Sequence, residues 1–308
     1  MNLVEVPGTG RKTTQLGFGC SYLNTSGAGA IDARRLLDEA YDCGIRHFDT
    51  APRYGQGSCE ELLGRFLACH KGETTVTTKY GLLPPTPTKR IIDAVRRRAK
   101  FIPGFLFGPM GGKRGSYKVA QATESLAQSL KNLQTEHIDL LLLHEPTPAD
   151  LKNDDFLRFL EDSQKKGQIG NFGIGGNASE VPKLFSNCRP YCPVLQFEWA
   201  CHQTHVDIPG SYPIHFRAGI PAAKYFKDRF ANNPSEQKKW SDTTGLDLSE
   251  GDNLYAVCLK ASMAAFPNSL VLFSSRHSDH IRRNVEIAED ISLDKPAVAF
   301  LDLIKSIN

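Results

Sequence analysis

The chain has 308 residues, 40% of them hydrophobic and 23% charged, which suffices for one large α/β domain or two small ones around a full core. A formal net charge of +3 gives no basic field for nucleic acid and no general pull toward a membrane surface, and no apolar run approaches the length of a membrane span. Eight scattered cysteines (20, 43, 59, 69, 188, 192, 201, 258) lack paired zinc-finger spacing, and residues 1–7 lack a signal-peptide h-region, so the expectation is a reducing, cytoplasmic protein with buried thiols.

Val4-Glu5-Val6 and Lys12-Thr13-Thr14 flank Pro7-Gly8-Thr9-Gly10, which predicts an N-terminal hairpin turning on glycine. From there strand-like runs alternate with helix-period segments. Strands are expected at 15–19, 45–48, 75–79, 138–143, 169–174, 194–197, 213–216 and 270–273. Helices are expected near 32–43, 58–69, 119–133, 155–166, 178–187, 252–265 and 278–289. In the first helix Ala33, Leu36, Leu37, Ala40 and Tyr41 share a face; Asp32 or the residue before it can cap the start, and Gly44 ends it. Gly64 reads as a weak point in the second helix.

Eight strands with intervening helices predict a closed (β/α)8 barrel, a single domain over residues 1–308. The Rossmann fold is the rival. Neither Gly17-Phe18-Gly19-Cys20-Ser21-Tyr22 nor Gly173-Ile174-Gly175-Gly176-Asn177 completes its Gly-x-Gly-x-x-Gly signature. Two places depart from regular βα alternation. Residues 197–213 leave little room for a sixth helix, a shortening that could distort the adjoining groove or leave the barrel partly open there. A long insertion, residues 84–118, follows the third strand and carries nine Lys or Arg against one acid, Asp93. Its net charge is +8 and that of the remainder −5. Loops of this length are usually lids, binding loops or disordered segments. One reading has Arg96, Arg97, Arg98 and Lys100 steering an anionic substrate or cofactor phosphates; the other is a solvated amphipathic lid docked through Phe101, Phe105, Leu106 and Phe107.

Four polar residues stand where strand-like runs end: Asp49 and Tyr54 in Asp49-Thr50-Ala51-Pro52-Arg53-Tyr54-Gly55, Lys79 closing Val76-Thr77-Thr78-Lys79, and His144 closing Ile138-Asp139-Leu140-Leu141-Leu142-Leu143-His144. A parallel barrel presents catalytic groups at that position. Tyrosine is a poor acid with a reference pKa of about 10, and a neighbouring ammonium lowers that value. Tyr54 is then a general acid or base, Lys79 its electrostatic tuner, Asp49 the partner that keeps Lys79 charged, and His144 a donor to a substrate oxygen. Each alone could equally be a structural hydrogen-bonder; the set of four at successive strand ends carries the chemical reading. Tyr22, Tyr80 and Trp199 follow strands one, three and six as pocket-wall aromatics or as packing under the lid, and Ser21, Thr25 and Ser26 give the first loop hydroxyls. His202, His205 and His215, with Cys201 and Asp207, lack tight metal spacing, and no metal is expected.

Through these residues the chain resembles the aldo-keto reductase superfamily over nearly its whole length. The hairpin, Leu16-Gly17-Phe18-Gly19, the Asp-Thr-Ala-x-x-Tyr-Gly element, the strand-end Lys79 and His144, Gly173-Ile174, Gln196-Phe197-Glu198 and the stretch from Ser275 through Asn284 carry the likeness. The resemblance implies a (β/α)8 barrel that binds NAD(P)(H), with NADP ahead of NAD, and exchanges hydride between nicotinamide and a carbonyl or alcohol carbon. It implies cofactor contacts at Gly19, Cys20, Asp49, Gln196, Phe216, Ser274, Ser275, Arg276, His280 and Asn284, with a helix start near Ser278 for the phosphate. Phe216 is either a nicotinamide-stacking ring or ordinary core, and Ser278 either marks that phosphate site or is a plain helix cap. Gly175-Gly176 stands where the family usually has Ser-Asn, so side-chain bonds to the amide fall to Asn177 or are absent; Ser274 and His280 replace the usual Lys and Arg for a 2′-phosphate, with Arg276 as a substitute. The implied function is reduction of an aldehyde, ketone or sugar, or the reverse oxidation; the alternatives are an NAD(P)-dependent aldose 1-dehydrogenase and a nucleotide-binding regulatory subunit. The expected partner is a small-molecule carbonyl or sugar, and the oligomeric state is open.

Overall fold

The computed structural model describes residues 1–23, 28–84, 114–152, 154–206 and 208–307. Strands β1 (Leu3–Val6) and β2 (Arg11–Thr14) pair antiparallel across the glycine turn, with Leu3 opposite Thr14 and Val6 opposite Arg11. Every second residue of a strand faces the same way, so Val4 and Val6 turn together into an apolar cluster with Leu140, Leu142, Val194, Ile214, Leu270 and Leu272. The hairpin therefore closes one end of a barrel whose interior those residues fill.

The barrel has eight parallel strands: β3 (Leu16–Gly19), β4 (His47–Asp49), β5 (Thr75–Tyr80), β6 (Ile138–His144), β7 (Ile169–Gly176), β8 (Val194–Glu198), β9 (Tyr212–Phe216) and β10 (Leu270–Phe273). β10 pairs with β3 through Val271 opposite Leu16, which completes the ring. Each strand lies within two residues of its expected span. Among the described residues no helix stands between β8 and β9, as expected, yet the barrel is not open there. The two strands stay in register from Val194 opposite Tyr212 to Glu198 opposite Phe216. The described residues 199–206 and 208–211 lie across the gap: Trp199 meets Phe266 edge to face at 4.9 Å, and the Cys201 amide donates to Ser262 Oγ at 3.0 Å.

Helices α1 (Ala28–Asp42), α2 (Cys59–Leu67), α3 (Val119–Asn132), α4 (Asp154–Lys165), α5 (Val181–Asn187), α6 (Ile220–Asn232), α7 (Pro234–Thr244), α8 (Gly251–Ala265), α9 (Ser278–Glu289) and α10 (Asp294–Lys305) surround it. α6, α7 and α10 are unassigned in the sequence reading. Each has a proline in its first turn (Pro221, Pro234, Pro296), where the missing N–H costs nothing although the residue reads as a breaker. They share an aromatic cluster in which Phe226 lies 4.8 Å from Phe300 and 5.4 Å from Trp240. α1 starts a turn before Asp32, so Asp32 is inside the helix and does not cap it; Ala28-Gly29-Ala30 holds no proline or β-branched residue to stop the helix earlier. Gly44, at φ +96°, lies just past its end.

Gly64 is a packing device rather than a weak point. A Cβ there would lie 2.1 Å from the Asn132 carbonyl oxygen, so glycine lets α2 touch the end of α3. The insertion leaves and returns at one place beside β5: Leu82 bridges Arg114, and the Gly115 amide donates to Gly81 O at 2.7 Å. Arg96, Arg97, Arg98, Lys100, Phe101, Phe105, Leu106 and Phe107 lie outside the described residues, as do Thr25, Ser26 and Asp207. Among the described residues no helix is long and apolar enough to cross a membrane, and all eight cysteines are free thiols.

Candidate active site

Asp49 is the last residue of β4, His144 the last of β6, and Lys79 lies one residue before the end of β5. Tyr54 follows β4 in a short 3-10 turn whose amide bonds back to Ala51 O at 3.0 Å. Period-2 alternation sends Asp49, Lys79 and His144 to the barrel interior at one end. There they meet. Lys79 Nζ donates to both Asp49 oxygens at 2.6 Å and to Thr50 O at 3.1 Å. Gln196 Nε2 donates to Asp49 Oδ2 at 2.8 Å. The Lys79 ammonium stands 5.3 Å from the centre of the Tyr54 ring, and the His144 ring meets Tyr54 edge to face at 6.0 Å.

Burial and charge set the protonation states. Burial alone would pull the Lys79 ammonium down, but the Asp49 carboxylate and Tyr54 together outweigh it and hold Lys79 above its ordinary value. The Tyr54 phenol departs from the sequence expectation. Burial pushes it up, and Lys79 draws it back only in part because Asp49 already neutralises that charge; the net shift is upward. Tyr54 is therefore a protonated phenol through the neutral range. Burial, with help from Lys79 and Arg53, lowers His144 to about 3, so it is a neutral imidazole, and its Nδ1 is buried without a hydrogen-bond partner among the described residues. The arrangement can hold one proton on a phenol, fix a buried cation beside it and offer a neutral ring across from it.

These four line a cleft of about 570 Å3 at the C-terminal end of the strands. Gly19, Gln196, Phe216, Ser274, Ser275, His280 and Asn284 line it too, so most of the cofactor-side residues gather along one groove that runs from Lys79 to the start of α9. Among the described residues Gly176 has nothing within 4 Å of where a Cβ would stand, whereas a Cβ at Gly175 would lie 3.3 Å from Gln196 Oε1; Asn177 lies on the same wall. Amide, ring, hydroxyl and helix-start groups along a cleft of this size fit a nicotinamide nucleotide.

Four expected residues are placed otherwise. Cys20 is wholly buried away from the cleft, where its carbonyl accepts from the Cys59 thiol. Arg276 is exposed outside the cleft lining, 5.5 Å from the Tyr22 ring. Tyr80 points outward, donates its hydroxyl to Ser116 O and packs on Tyr117 and Phe156. Trp199 is buried against Phe266 and His215. Of the three aromatics proposed as pocket walls, Tyr22 alone lines the cleft. Sequence reasoning missed Glu145, Arg217, Asp252, Tyr255 and Arg283, all of which line it. Arg283 had a legible signal, since it shares a helix face with His280 and Asn284. It is held by Asp252 at 2.8 Å, while Tyr255 donates to Asn284 Oδ1 at 2.7 Å.

Comparison with known proteins agrees with this geometry. Residues 15–225 match the model of the Aldo/keto reductase family. Pyridoxal 4-dehydrogenase of Microbacterium luteolum is 31% identical over 317 residues, covering 90% of this chain and 90% of that protein. D-threo-aldose 1-dehydrogenase of a Pseudomonas species is 34% identical over 154 residues, 49% of this chain and 45% of its own. Among solved structures, the glycerol dehydrogenase of Gluconobacter oxydans superposes with a TM-score of 0.71 at 20% identity, covering 99% of this chain and 95% of that one. An aldo/keto reductase of Klebsiella pneumoniae in complex with NADP and acetate gives 0.66 at 17% identity, covering 98% and 95%. Family match and full-length relative together place this chain in the aldo/keto reductase family, as an NAD(P)H-dependent oxidoreductase.

Proposed function

We propose that the cleft exchanges hydride between a bound nicotinamide and the carbonyl or alcohol carbon of a small aldehyde, ketone or sugar, with Tyr54 moving the proton. The observation that carries this is Tyr54 beside the buried Lys79–Asp49 pair, with the His144 ring edge-on to it. The nicotinamide, when bound, supplies or accepts the hydride. Tyr54 gives its O–H proton to the carbonyl oxygen as that oxygen gains charge, and becomes a phenolate that Lys79 stabilises. Asp49 keeps Lys79 ionised, and the His144 N–H orients the oxygen. In the oxidative direction the same phenolate takes the alcohol proton.

Gln196, Asn177 and Phe216 are assigned to the nicotinamide, and Ser274, Ser275, His280 and Asn284 to the adenosine end, with Gly19 on the wall between. NADP(H) is favoured over NAD(H). His280 and Arg283 line that end, Arg276 stands close by, and the Klebsiella neighbour holds NADP. A second reading is oxidation of an aldose at its first carbon, supported by the likeness to D-threo-aldose 1-dehydrogenase. The test is a fluorescence titration with NADP(H) and NAD(H), then a panel of aldehydes, ketones and aldoses in both directions, for the native chain and Tyr54→Phe. The variant is expected to bind nucleotide normally and turn over nothing; retained turnover removes Tyr54 from its assigned role.

A further inference from the structure

Six charged residues line the cleft: Asp49, Lys79, Glu145, Arg217, Asp252 and Arg283. Five are paired, Lys79 with Asp49 at 2.6 Å, Arg217 with Glu198 at 3.1 Å and Arg283 with Asp252 at 2.8 Å. Glu145 is the exception; among the described residues its carboxylate has neither an ion-pair nor a hydrogen-bond partner. Its backbone is also unusual. It sits at φ +54°, a left-handed conformation that a glutamate rarely adopts, directly after His144 and before Pro146. That conformation is fixed from both sides. The Glu145 amide donates to Gly175 O at 2.6 Å, and its carbonyl accepts from the Arg114 guanidinium at 2.8 Å. Such strain clusters at functional sites, and here it holds the backbone at the cleft rim while the carboxylate itself is exposed and open to a ligand.

The position of Glu145 says what it meets. It follows β6, the fourth strand of the ring, and β10, which leads into Ser274 and α9, is the eighth. Fourth and eighth strands of an eight-stranded ring stand diametrically opposite, so Glu145 lies across the cleft from the end assigned to adenosine. We infer that Glu145 selects substrates: its carboxylate accepts a hydrogen bond from a donor group, a hydroxyl or a protonated amine, carried near the reacting carbonyl. The inference rests on the hydride-transfer reading given above and adds the substrate class to it. A carboxylate is an acceptor with no donor of its own, so it favours polyol or amino carbonyls over plain alkyl ones.

Propanal, glyceraldehyde and 3-aminopropanal have the same three-carbon chain and differ in donor groups. Reduction of each is followed by consumption of the reduced nicotinamide, with the native chain, Glu145→Gly and Glu145→Gln. Glycine accepts φ +54° without strain, so that variant keeps the fold, which circular dichroism verifies. The expected result is a native kcat/KM higher for glyceraldehyde, 3-aminopropanal or both than for propanal, with that ratio falling about tenfold or more in Glu145→Gly. Glu145→Gln separates the sources: a ratio kept for glyceraldehyde and lost for 3-aminopropanal shows that the charge selects the amine, and a ratio lost for both shows that the hydroxyl needs the carboxylate as well. Ratios unchanged by Glu145→Gly, or no native preference among the three while propanal is reduced, overturn the inference alone. A native chain that reduces none of the three overturns the hydride-transfer reading and this inference with it.

Discussion

Asp49→Asn should turn the buried ion pair at the site from a support into a liability, and the structure sets the size of the effect. Lys79 and Asp49 are 3% and 5% exposed, and Lys79 makes both carboxylate contacts at 2.6 Å. Breaking a pair at this depth leaves an uncompensated charge and costs roughly 3–5 kcal/mol. Asparagine still offers one acceptor, so the low end, about 3 kcal/mol, applies to Asp49→Asn, or a fall of about 6 °C in Tm for a chain of this size. Lys79→Met strands the carboxylate with the Gln196 amide and should cost more. Removing both charges together should cost less than the sum of the singles by about 2 kcal/mol, because neither variant charge is then left buried alone. The pH dependence adds a sign. In the native chain Lys79 titrates above its ordinary value, so its contribution is full below about pH 10.5 and is lost as pH rises through the folded value. Without Asp49, burial is opposed only through Tyr54 and draws Lys79 down from its native value, so Asp49→Asn should gain stability relative to the native chain as pH rises from 7 toward 10. Thermal unfolding followed by circular dichroism from pH 7 to 11 reads both effects. Additive losses, or an Asp49→Asn profile parallel to that of the native chain, would refute the reasoning.

Three further outcomes are expected. With an unionisable aldehyde, kcat/KM for reduction should show no limb near pH 6.5, because His144 titrates at about 3 and Tyr54 above its ordinary range, and oxidation should speed up toward alkaline pH; a limb near neutrality that vanishes in His144→Ala would contradict this. Gly64→Ala should cost about 1–3 kcal/mol in urea unfolding, despite the ~1 kcal/mol that alanine gains in helix propensity, because its Cβ would meet Asn132 O at 2.1 Å; a stabilised variant would disprove the contact. His47, His144 and His215 are each lowered to about 3 by burial, so stability is full above about pH 6.5 and declines as pH falls toward 3. His215 has no partner for either ring nitrogen among the described residues and packs on Phe197, Trp199 and Phe266, so His215→Phe should raise Tm, by more at pH 5 than at pH 8; an equal or smaller change at pH 5 would show that the ring is not held neutral by burial.

The fold and the four central residues were legible because both depend on local pattern. Strand ends are marked by the switch from apolar run to polar residue, and Asp49 and Tyr54 lie five apart on one loop. What stayed hidden depends on the backbone and on distant partners. Nothing in Glu145-Pro146 or Arg217 announces a positive φ, and the Asp252–Arg283 and Tyr255–Asn284 contacts join α8 to α9 through residues 31 and 29 apart in sequence.

Three of the misplaced residues nevertheless carried a readable signal in strand parity. In β5 Lys79 faces the interior, so Tyr80, one residue later, must face the helices, and it does, against Tyr117 and Phe156. Gln196 faces inward in β8, so Phe197 and Trp199 face outward, and Trp199 reaches Phe266 on the far side of the strand layer. Gly19 borders the cleft, so Cys20 shares the outward side of Phe18 and is buried against α2. The same alternation keeps Phe216 on the cleft wall and turns His215 into the packing layer. For Tyr80 and Trp199 that parity excludes the cleft, whereas Phe273, one position past the inward Leu272, still reaches it at the end of its strand, where the alternation gives out. The inward rows keep this alternation: Thr77 and Lys79 share a parity, Leu140, Leu142 and His144 share another, and the cleft is built where those rows run out of apolar residues.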